Sequence, residues 1–181
     1  MKKILTSLMV LGLVLATSTA NAGVYFGGRG GFEKYKVENS DWGLDYQKTK
    51  FLAGGFLGYH SGFFRLEAEY LYHPKRSISG FSSESQTVTG NLFFSPPIKS
   101  MLHPYIMGGA GAGFHKLTVG GDEEKDTTFT WQAGIGLEVE PADNVFFDVG
   151  GRWIDFGDPE YEKHKVDTKG YFYYLGLRFE Y

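Results

Sequence analysis

The sequence predicts an all-β fold: an eight-stranded antiparallel transmembrane β-barrel, preceded by a cleaved signal peptide. Three observations support this prediction. Apolar residues recur at alternate positions in several short segments, glycine and aromatic residues are abundant, and the first 22 residues have the layout of an export signal. Glycine supplies 26 of 181 residues, about 14%, against a usual value of roughly 7%. The aromatic residues are 16 Phe, 12 Tyr and 3 Trp.

Charge and cysteine content exclude several classes of protein. The chain has 18 Lys and Arg against 21 Asp and Glu, a net charge of −3, so it lacks the basic excess of a nucleic-acid-binding domain and no nucleic acid partner is expected. The absence of Cys excludes disulfide scaffolds, thiolate metal sites and cysteine nucleophiles. The length fits one domain, large enough for a small barrel or sandwich.

The amino-terminal segment predicts export of the Sec type. Two lysines, Lys2 and Lys3, precede a largely apolar stretch over residues 4–16, and Ala20 and Ala22 supply the small residues of a cleavage site. The apolar stretch is shorter than the ~20 residues that a membrane-spanning helix needs. We therefore expect residues 1–22 to be a signal peptide and residues 23–181 to form the mature barrel domain.

Alternation of side chains identifies the strands. A transmembrane strand needs only ~9–11 tilted residues, apolar at every second position, because one face meets lipid and the other meets the lumen. Residues 64–72 separate almost completely into an apolar set and a polar set, and residues 128–139, 145–153 and 173–181 repeat the pattern. The eight predicted strands are 24–35, 50–59, 64–72, 87–94, 105–114, 128–139, 145–153 and 173–181.

One strand has an uncertain facing, and the connections follow a regular scheme. Residues 105–114 are so rich in Gly and Ala that parity is weak, and we expect Tyr105 and Met107 to point outward. Long polar connections alternate with shorter ones, as extracellular loops and periplasmic turns do in such barrels. The predicted loops are 36–49, 73–86, 115–127 and 155–170, and the predicted turns are 60–63, 95–104 and 140–144.

A soluble antiparallel sandwich also alternates, with its apolar face turned into a core and its polar face into water. Here the minority face is small and mixed, with isolated charges among glycines, whereas the large apolar face ends in aromatic residues. Small residues and paired charges fit a narrow lumen, and aromatic ends fit the two interfacial girdles of a membrane barrel. The pattern favours the barrel.

Four runs resemble the small outer-membrane barrels of the OmpA transmembrane-domain and Opacity-protein type, a porin-like family. The runs are residues 55–59 with 64–70, residues 103–111, residues 148–155 and residues 175–181. Two departures are Gly151, where the family often has Tyr, and the terminal Tyr181, where Phe is commoner. The resemblance covers essentially the whole mature chain and implies residence in the outer membrane of a Gram-negative cell, beside lipopolysaccharide. It also implies that Leu177, Phe179 and Tyr181 form a carboxyl-terminal signal for the barrel-insertion machinery.

The predicted lumen carries four cations and five anions. An eight-stranded barrel is just wide enough for side chains to fill, and buried charges must pair, so we expect a network of ion pairs. The alternative is a narrow gated or leaky channel for ions or solutes along the same network. The predicted lumen residues are Arg29, Glu33, Arg65, Glu67, Glu69, Glu138, Asp148, Arg152 and Arg178.

No catalytic, cofactor or metal site is expected. None of the five His has Ser two residues further on, the pattern of outer-membrane lipid A deacylases. The glycines of residues 108–113 lack the dinucleotide-binding register, and the acidic run at residues 122–126 lacks the spacing of a calcium loop. We therefore expect a surface or structural protein rather than an enzyme. Its loops are expected to contact a host or envelope ligand through Trp42, Tyr46, Phe81 and Tyr161.

Overall fold

The computed structural model describes residues 22–39, 44–78, 81–98, 100–119, 122–157, 160–161, 164–165 and 167–181. Side chains at residues 35–48, 75–83, 117–125 and 158–168 are outside this description. The signal-peptide prediction falls on residues outside it, apart from Ala22, where the first strand begins. Within the described part, no helix has the length and apolar character to cross a membrane.

The chain forms a closed antiparallel barrel, which confirms the predicted fold class. Its eight strands are β1–β7 and β10, arranged around the barrel in the order β1-β10-β7-β6-β5-β4-β3-β2, and β8 and β9 form a separate two-stranded ribbon. The strands are β1 (Ala22–Asn39), β2 (Leu44–Ser61), β3 (Phe64–Ile78), β4 (Phe81–Phe94), β5 (Leu102–Val119), β6 (Asp122–Ala142), β7 (Val145–Asp155), β8 (Glu160–Tyr161), β9 (His164–Lys165) and β10 (Asp167–Glu180).

The first and last strands close the barrel. They pair from Tyr25 opposite Glu180 to Glu38 opposite Asp167. The Tyr181 amide adds one more bond, donating to the Val24 carbonyl at 2.9 Å. Closure leaves no unpaired sheet edge, which is the condition for a sheet to cross a membrane.

Tight turns join the strands at the end where both termini of the barrel lie. Gly62 and Asn144, with φ of 59° and 65°, adopt the left-handed conformation that such turns require. At the β4–β5 connection, the Ser95 amide donates to the Phe63 carbonyl at 2.9 Å, tying that connection to the neighbouring turn. This end corresponds to the predicted periplasmic side.

The outer wall is apolar and carries two aromatic girdles. On β10, Tyr171 and Phe179 mark the upper and lower girdles, about 26 Å apart along the strand and about 20 Å along the membrane normal at a tilt of about 40°. This spacing is close to the apolar band of roughly 25 Å in such barrels. The upper girdle contains Phe32, Phe51, Tyr70, Tyr72, Phe114, Phe129, Trp131, Tyr171 and Tyr173, and the lower one Phe26, Phe64, Phe94, Phe147, Phe179 and Tyr181, all exposed.

For three of the four predicted long polar loops, 36–49, 73–86 and 115–127, the prediction is wrong for most of their length. Backbone pairing continues to Asn39 opposite Leu44, to Ile78 opposite Phe81 and to Val119 opposite Asp122. Polar residues in water satisfy their backbone groups by pairing with the adjacent strand as readily as apolar ones do, so the sheet extends past the membrane band. Apolar alternation marks where lipid ends, and it does not mark where the strand ends.

The predicted facing of β5 is also wrong. Tyr105 and Met107 lie inside the barrel, 2% and 5% exposed, whereas Ile106 between them faces outward. The inward facing of Tyr105 depends on the space left by two glycines, because a Cβ at Gly136 or at Gly150 would meet the Tyr105 hydroxyl. These two glycines open the inner wall where the Tyr105 ring lies.

Candidate functional site

The lumen is filled by charged and aromatic side chains. All nine charged residues that the sequence places there are buried, each no more than 6% exposed. We call Arg29, Glu67, Glu69, Asp148 and Arg152 the central charge cluster. Arg65, Glu138, Arg178 and Glu180 form the lower charge cluster, nearer the tight turns. The ninth predicted residue, Glu33, lies toward the opposite end.

Arg29 links the carboxylates of the central charge cluster. Its Nη1 donates to Glu67 Oε1 at 2.6 Å and to Glu69 Oε1 at 2.7 Å, and its Nη2 donates to Glu67 Oε2 at 3.1 Å. Asp148 Oδ2 lies 3.6 Å from Nη2. The guanidinium presents several donors in one plane, so a single arginine can serve carboxylates from two strands.

Glu69 extends this cluster across the lumen. Its Oε2 accepts from Arg152 Nη1 at 2.6 Å and from Asn91 Nδ2 at 3.1 Å. Gln132 completes the crossing, because its Oε1 accepts from Arg152 at 3.2 Å and its Nε2 donates to Asn91 Oδ1 at 2.6 Å. Side chains from β1, β3, β4, β6 and β7 thus meet at one level. Buried charges need such partners, and here they have them.

The lower charge cluster is built around Glu138. It pairs with Arg65 and, through Oε2, with Arg178 Nη2 at 3.4 Å. Arg178 Nη1 also donates to Glu180 Oε1 at 2.8 Å. His60 Nδ1 lies 2.8 Å from the same Glu180 oxygen, at the mouth of the barrel. The cluster therefore runs from the interior to the periplasmic opening.

Aromatic rings fill the space around the arginines. The guanidinium of Arg29 lies 4.1 Å from the centre of the Phe56 ring, and that of Arg178 lies 3.8 Å from the centre of Phe146. Arg65 lies over Phe93 at 4.5 Å. Such cation–π contacts stabilise a cation where water is excluded. They also occupy the volume that a pore would need.

Tyr105 connects the rings to the charges. Its hydroxyl donates to Asp148 Oδ1 at 2.5 Å and lies 2.7 Å from the Tyr174 hydroxyl. A buried phenol needs a partner for its hydroxyl, and Asp148 on β7, separated from β5 only by β6, supplies an acceptor. The inward facing of Tyr105 therefore has an electrostatic reason as well as a steric one.

Glu33 belongs to a different group, which we call the upper histidine layer. Its Oε2 lies 3.4 Å from His73 Nδ1, and His73 Nε2 lies 3.5 Å from Thr87 Oγ1. His115 bridges two hydroxyls, with Nδ1 3.0 Å from Ser85 Oγ and Nε2 3.0 Å from Thr128 Oγ1. The layer consists of Glu33, His73, Ser85, Thr87, His115 and Thr128.

Apolar side chains separate the upper histidine layer from the central charge cluster. Along the inner face of β3 the order is Glu69, Leu71 and then His73, and on β7 Ile154 follows Arg152. Leu71 and Ile154 belong to a buried apolar cluster with Leu52, Phe156, Phe172 and Tyr174. Phe156 also packs edge-on against the His73 ring at 5.5 Å, so it covers the layer from one side.

Sequence reasoning missed both histidines of this layer. His73 and His115 fell in segments predicted to be loops, although the signal was available. His73 has the same parity as Glu67, Glu69 and Leu71 along β3, and this parity places it inside once the strand is allowed to continue.

The charged side chains of the lumen bind one another and fill the barrel. Glu67 and Glu69, two carboxylates on the same face of β3, both accept hydrogen bonds from Arg29. In the described part of the chain, no group of three or more His, Asp or Glu side chains is arranged to hold a metal ion. Paired and enclosed, the charges bind one another across the barrel.

Three of the four predicted loop-contact residues lie within described strands. Trp42 lies outside the described residues. Tyr46 and Phe81 lie on β2 and β4 rather than in loops, which corrects their predicted placement, and Tyr161 lies on β8. Tyr46 stands opposite Val37, and Phe81 stands opposite both Ile78 and Val119. Tyr46 and Phe81 therefore lie in the hairpins above the upper girdle.

The carboxyl-terminal residues of the predicted insertion signal share one face of the wall. Leu177 is half-buried, whereas Phe179 and Tyr181 are exposed on the lipid-facing side. Phe179 packs against Phe26 of the neighbouring strand, with ring centres 5.7 Å apart. The three residues thus lie at the strand that closes the barrel.

A closed eight-stranded barrel with an apolar belt, two aromatic girdles and a filled lumen defines a small integral protein of the outer membrane. Residues 4–179 match the family model of the outer membrane protein beta-barrel domain, and the chain belongs to this family. It is an outer-membrane protein of Gram-negative bacteria.

Individual relatives agree with this assignment. The chain is similar to a 25 kDa outer-membrane immunogenic protein of Brucella melitensis, 30% identical over 82 residues that make up 42% of this chain and 38% of that relative. It thus spans well under half the length of this relative. Its fold is similar to Neisserial surface protein A, with a TM-score of 0.73 at 15% identity, covering 89% of this chain and 99% of the other. It is also similar to the amino-terminal barrel of Pseudomonas aeruginosa OprF, with a TM-score of 0.57 at 14% identity, covering 88% and 99%.

Proposed function

We propose that the barrel is a sealed membrane anchor and that its extracellular hairpins form an interaction surface for a host or envelope molecule. The observation that carries this proposal is the contrast between a lumen closed by ion pairs and strands that extend beyond the membrane. From Phe32 in the upper girdle to Asn39, β1 continues for about 23 Å along the strand. This length projects a paired hairpin above the lipid.

The packed lumen supports an anchor over the alternative of a narrow channel. An ion passing through would have to displace Arg29 or Arg152 from Glu69, and the contacts are 2.7 and 2.6 Å long. Breaking a buried pair exposes an uncompensated charge, which costs about 3–5 kcal/mol. A channel would therefore need an opening step at the central charge cluster.

The aromatic residues of the hairpins support a contact role. Tyr46, Phe81 and Tyr161 occupy strand positions beyond the upper girdle, and Trp42 falls between β1 and β2 in the sequence. Aromatic residues at surfaces supply large contact areas at low conformational cost. We further propose that the protein is not an enzyme, which predicts that refolded protein releases no acyl chain from lipopolysaccharide.

Hairpin variants test the interaction surface. Trp42→Ala and Tyr161→Ala are expected to reduce adhesion of cells carrying the protein to host-cell layers and to isolated envelope components. Phe63→Ala, in the tight turn at the other end, is the matched control and should leave adhesion unchanged. Heat-modifiable gel migration shows that each variant has folded. Equal adhesion by all four proteins on every surface would refute the proposed contact role.

The terminal strand gives a second test. We propose that Phe179 and Tyr181 are read by the barrel-insertion machinery, so Phe179→Ala should lower the amount of folded protein in outer membranes. Phe147→Ala on β7 removes a lower-girdle ring without touching the carboxyl terminus and serves as the control. Equal loss for both variants would assign the effect to the girdle and contradict a terminal signal.

A further inference from the structure

The outer wall has one stretch where the aromatic and aliphatic cover is interrupted. Along the lipid-facing side of β1 the residues are Phe26, Gly28, Gly30, Phe32 and Lys34. The two glycines leave the strand bare between an aromatic ring of each girdle. The bare stretch faces the lipid band, where the environment is hydrocarbon.

This bare stretch is the floor of a groove of about 650 Å³. Ala53 of β2 borders it on one side, and Leu175 and Leu177 of β10 stand beside it on the other. Phe147 and Val149 of β7 form its far end. Almost the whole lining is apolar, so the groove offers a shaped seat for an alkyl chain rather than for a polar molecule.

Cations lie directly above this groove. Lys34 is exposed on the same face of β1, just beyond Phe32 of the upper girdle. The residues opposite Lys34 in the sheet, Thr49 and Tyr171, carry no charge. Two residues further on, Lys36 of β1 stands opposite Lys169 of β10.

On β1, Lys34 lies two residues nearer the groove than Lys36. Asp155 of β7 stands opposite Lys169, so part of the positive charge there already has an acidic neighbour in the sheet. Lys34 lies between uncharged neighbours at the level of the lipid headgroups. A lysine at this level attracts anionic headgroups, and one such lysine raises the binding affinity about fivefold.

We propose that the groove over Gly28 and Gly30, together with Lys34, is a binding site for a phosphorylated lipid of the outer leaflet, namely lipopolysaccharide. An acyl chain lies in the groove between Leu175 and Ala53, and a phosphate of the headgroup lies beside Lys34. The inference rests on the proposed orientation, in which the hairpins are extracellular. It does not depend on any ligand of the hairpins.

Glycine geometry supplies a matched pair of variants. A Cβ added to Gly28 meets nothing closer than 3.5 Å, so the position has room for a side chain and Gly28→Val adds apolar volume to the groove. Gly90 on β4 is equally open, with nothing closer than 3.9 Å, and faces lipid on a different part of the wall. Gly90→Val therefore makes the same chemical change away from the groove. Lys34→Gln removes the cation, and Lys34→Arg retains it.

The experiment measures lipid retained by purified, folded protein, using native mass spectrometry with lipopolysaccharide, dephosphorylated lipopolysaccharide or phosphatidylcholine. Wild type, Gly90→Val and Lys34→Arg should retain lipopolysaccharide equally. Gly28→Val and Lys34→Gln should each lose about fivefold, and dephosphorylation should lower retention by wild type about as much. Because Lys34→Gln and the lipid comparison need no change in the groove, the proposal stays testable if Gly28→Val does not fold.

Three outcomes would overturn the proposal. Equal losses for Gly28→Val and Gly90→Val would show a general effect of the wall. If dephosphorylated lipopolysaccharide were retained as well as the phosphorylated form, the proposed contact between Lys34 and a headgroup phosphate would be excluded. A dimer that Gly28→Val disrupts would assign the groove to a second copy of the chain. If lipid retention does not change as expected while hairpin adhesion is intact, the groove proposal fails and the proposed surface function stands. If lipid retention changes as expected while the hairpin variants adhere normally, the surface function fails and the groove proposal stands.

Discussion

The central charge cluster and the upper histidine layer solve the same problem with different chemistry. Both fill a polar stretch of the lumen, and Leu71 with Ile154 lies between them. The central charge cluster uses arginines, whose charge is permanent, so each carboxylate there is indispensable to a buried cation. The upper layer surrounds one carboxylate, Glu33, with imidazoles and hydroxyls, which can satisfy hydrogen bonds without charge. The comparison implies that the barrel is locked at its centre and more tolerant at its extracellular end.

The largest expected effect comes from Glu69→Gln. The change leaves Arg29 and Arg152 with one carboxylate fewer in a fully buried site, so the free energy of unfolding should fall by about 3–5 kcal/mol. Urea-induced unfolding in lipid vesicles measures it. Asp143→Asn, at an exposed turn, is the control and should stay within about 0.5 kcal/mol of wild type. A Glu69→Gln effect as small as that of the control would contradict the central lock.

Tyr105→Phe should have the next largest effect. The variant keeps the ring but loses the hydroxyl that donates to Asp148 and contacts Tyr174. A hydrogen bond to a charged group contributes about 1.5–3 kcal/mol, and the same urea titration should show a loss in that range. An unchanged midpoint would mean that Asp148 obtains equivalent donors from Arg29 or from water.

Gly31→Ala probes the boundary between the two regions. Gly31 lies between Arg29 and Glu33 on the inner face of β1, and a Cβ there would collide with the backbone carbonyl of Tyr173. Overpacking of this kind costs about 1–3 kcal/mol. Gly28→Ala on the lipid-facing side has open space and should be nearly neutral, so equal effects of the two alanines would contradict the assigned facing.

The smallest effect is expected from Glu33→Gln. Its neighbour His73 is an imidazole, which can bond to an amide as well as to a carboxylate, and Lys50, which stands opposite Glu33 in the sheet, is only half-buried. A loss of about 1 kcal/mol in the unfolding free energy is expected, clearly below that of Glu69→Gln. A loss as large as that of Glu69→Gln would erase the distinction between the two regions.

Much of this architecture follows from side-chain parity. Where inner and outer residues differ in kind, as Leu66 and Glu67 do, one register fits a lipid-facing wall, so the closed barrel was predictable. Parity fails on β5, because glycine and alanine occupy both faces of the strand and give no contrast between them. There Tyr105 faces inward and its hydroxyl donates to Asp148. Parity also stops marking strands above the girdles, where the outer face meets water and polar residues occur on both faces, and His73 was missed for that reason.

Other features of the lumen depend on distances that no sequence pattern encodes. The sequence contains the arginines and carboxylates, but it does not say that Arg29 serves Glu67 and Glu69 together while Glu33 faces His73. These choices follow from strand stagger, which sets the level that each inner residue reaches. The groove on the outer wall likewise depends on Gly28 lying beside Leu177 of β10, a pairing across the closure of the barrel.

Conductance in planar bilayers tests the central claim most directly. Wild-type protein, shown to be folded by heat-modifiable migration, should give no discrete current steps at about 100 mV, because paired charges and rings fill the lumen. Glu69→Gln, which loosens the central charge cluster, should raise the frequency of transient openings. Steady steps from the folded wild type, altered when Glu67 or Arg152 is neutralised, would contradict the sealed anchor and establish a channel.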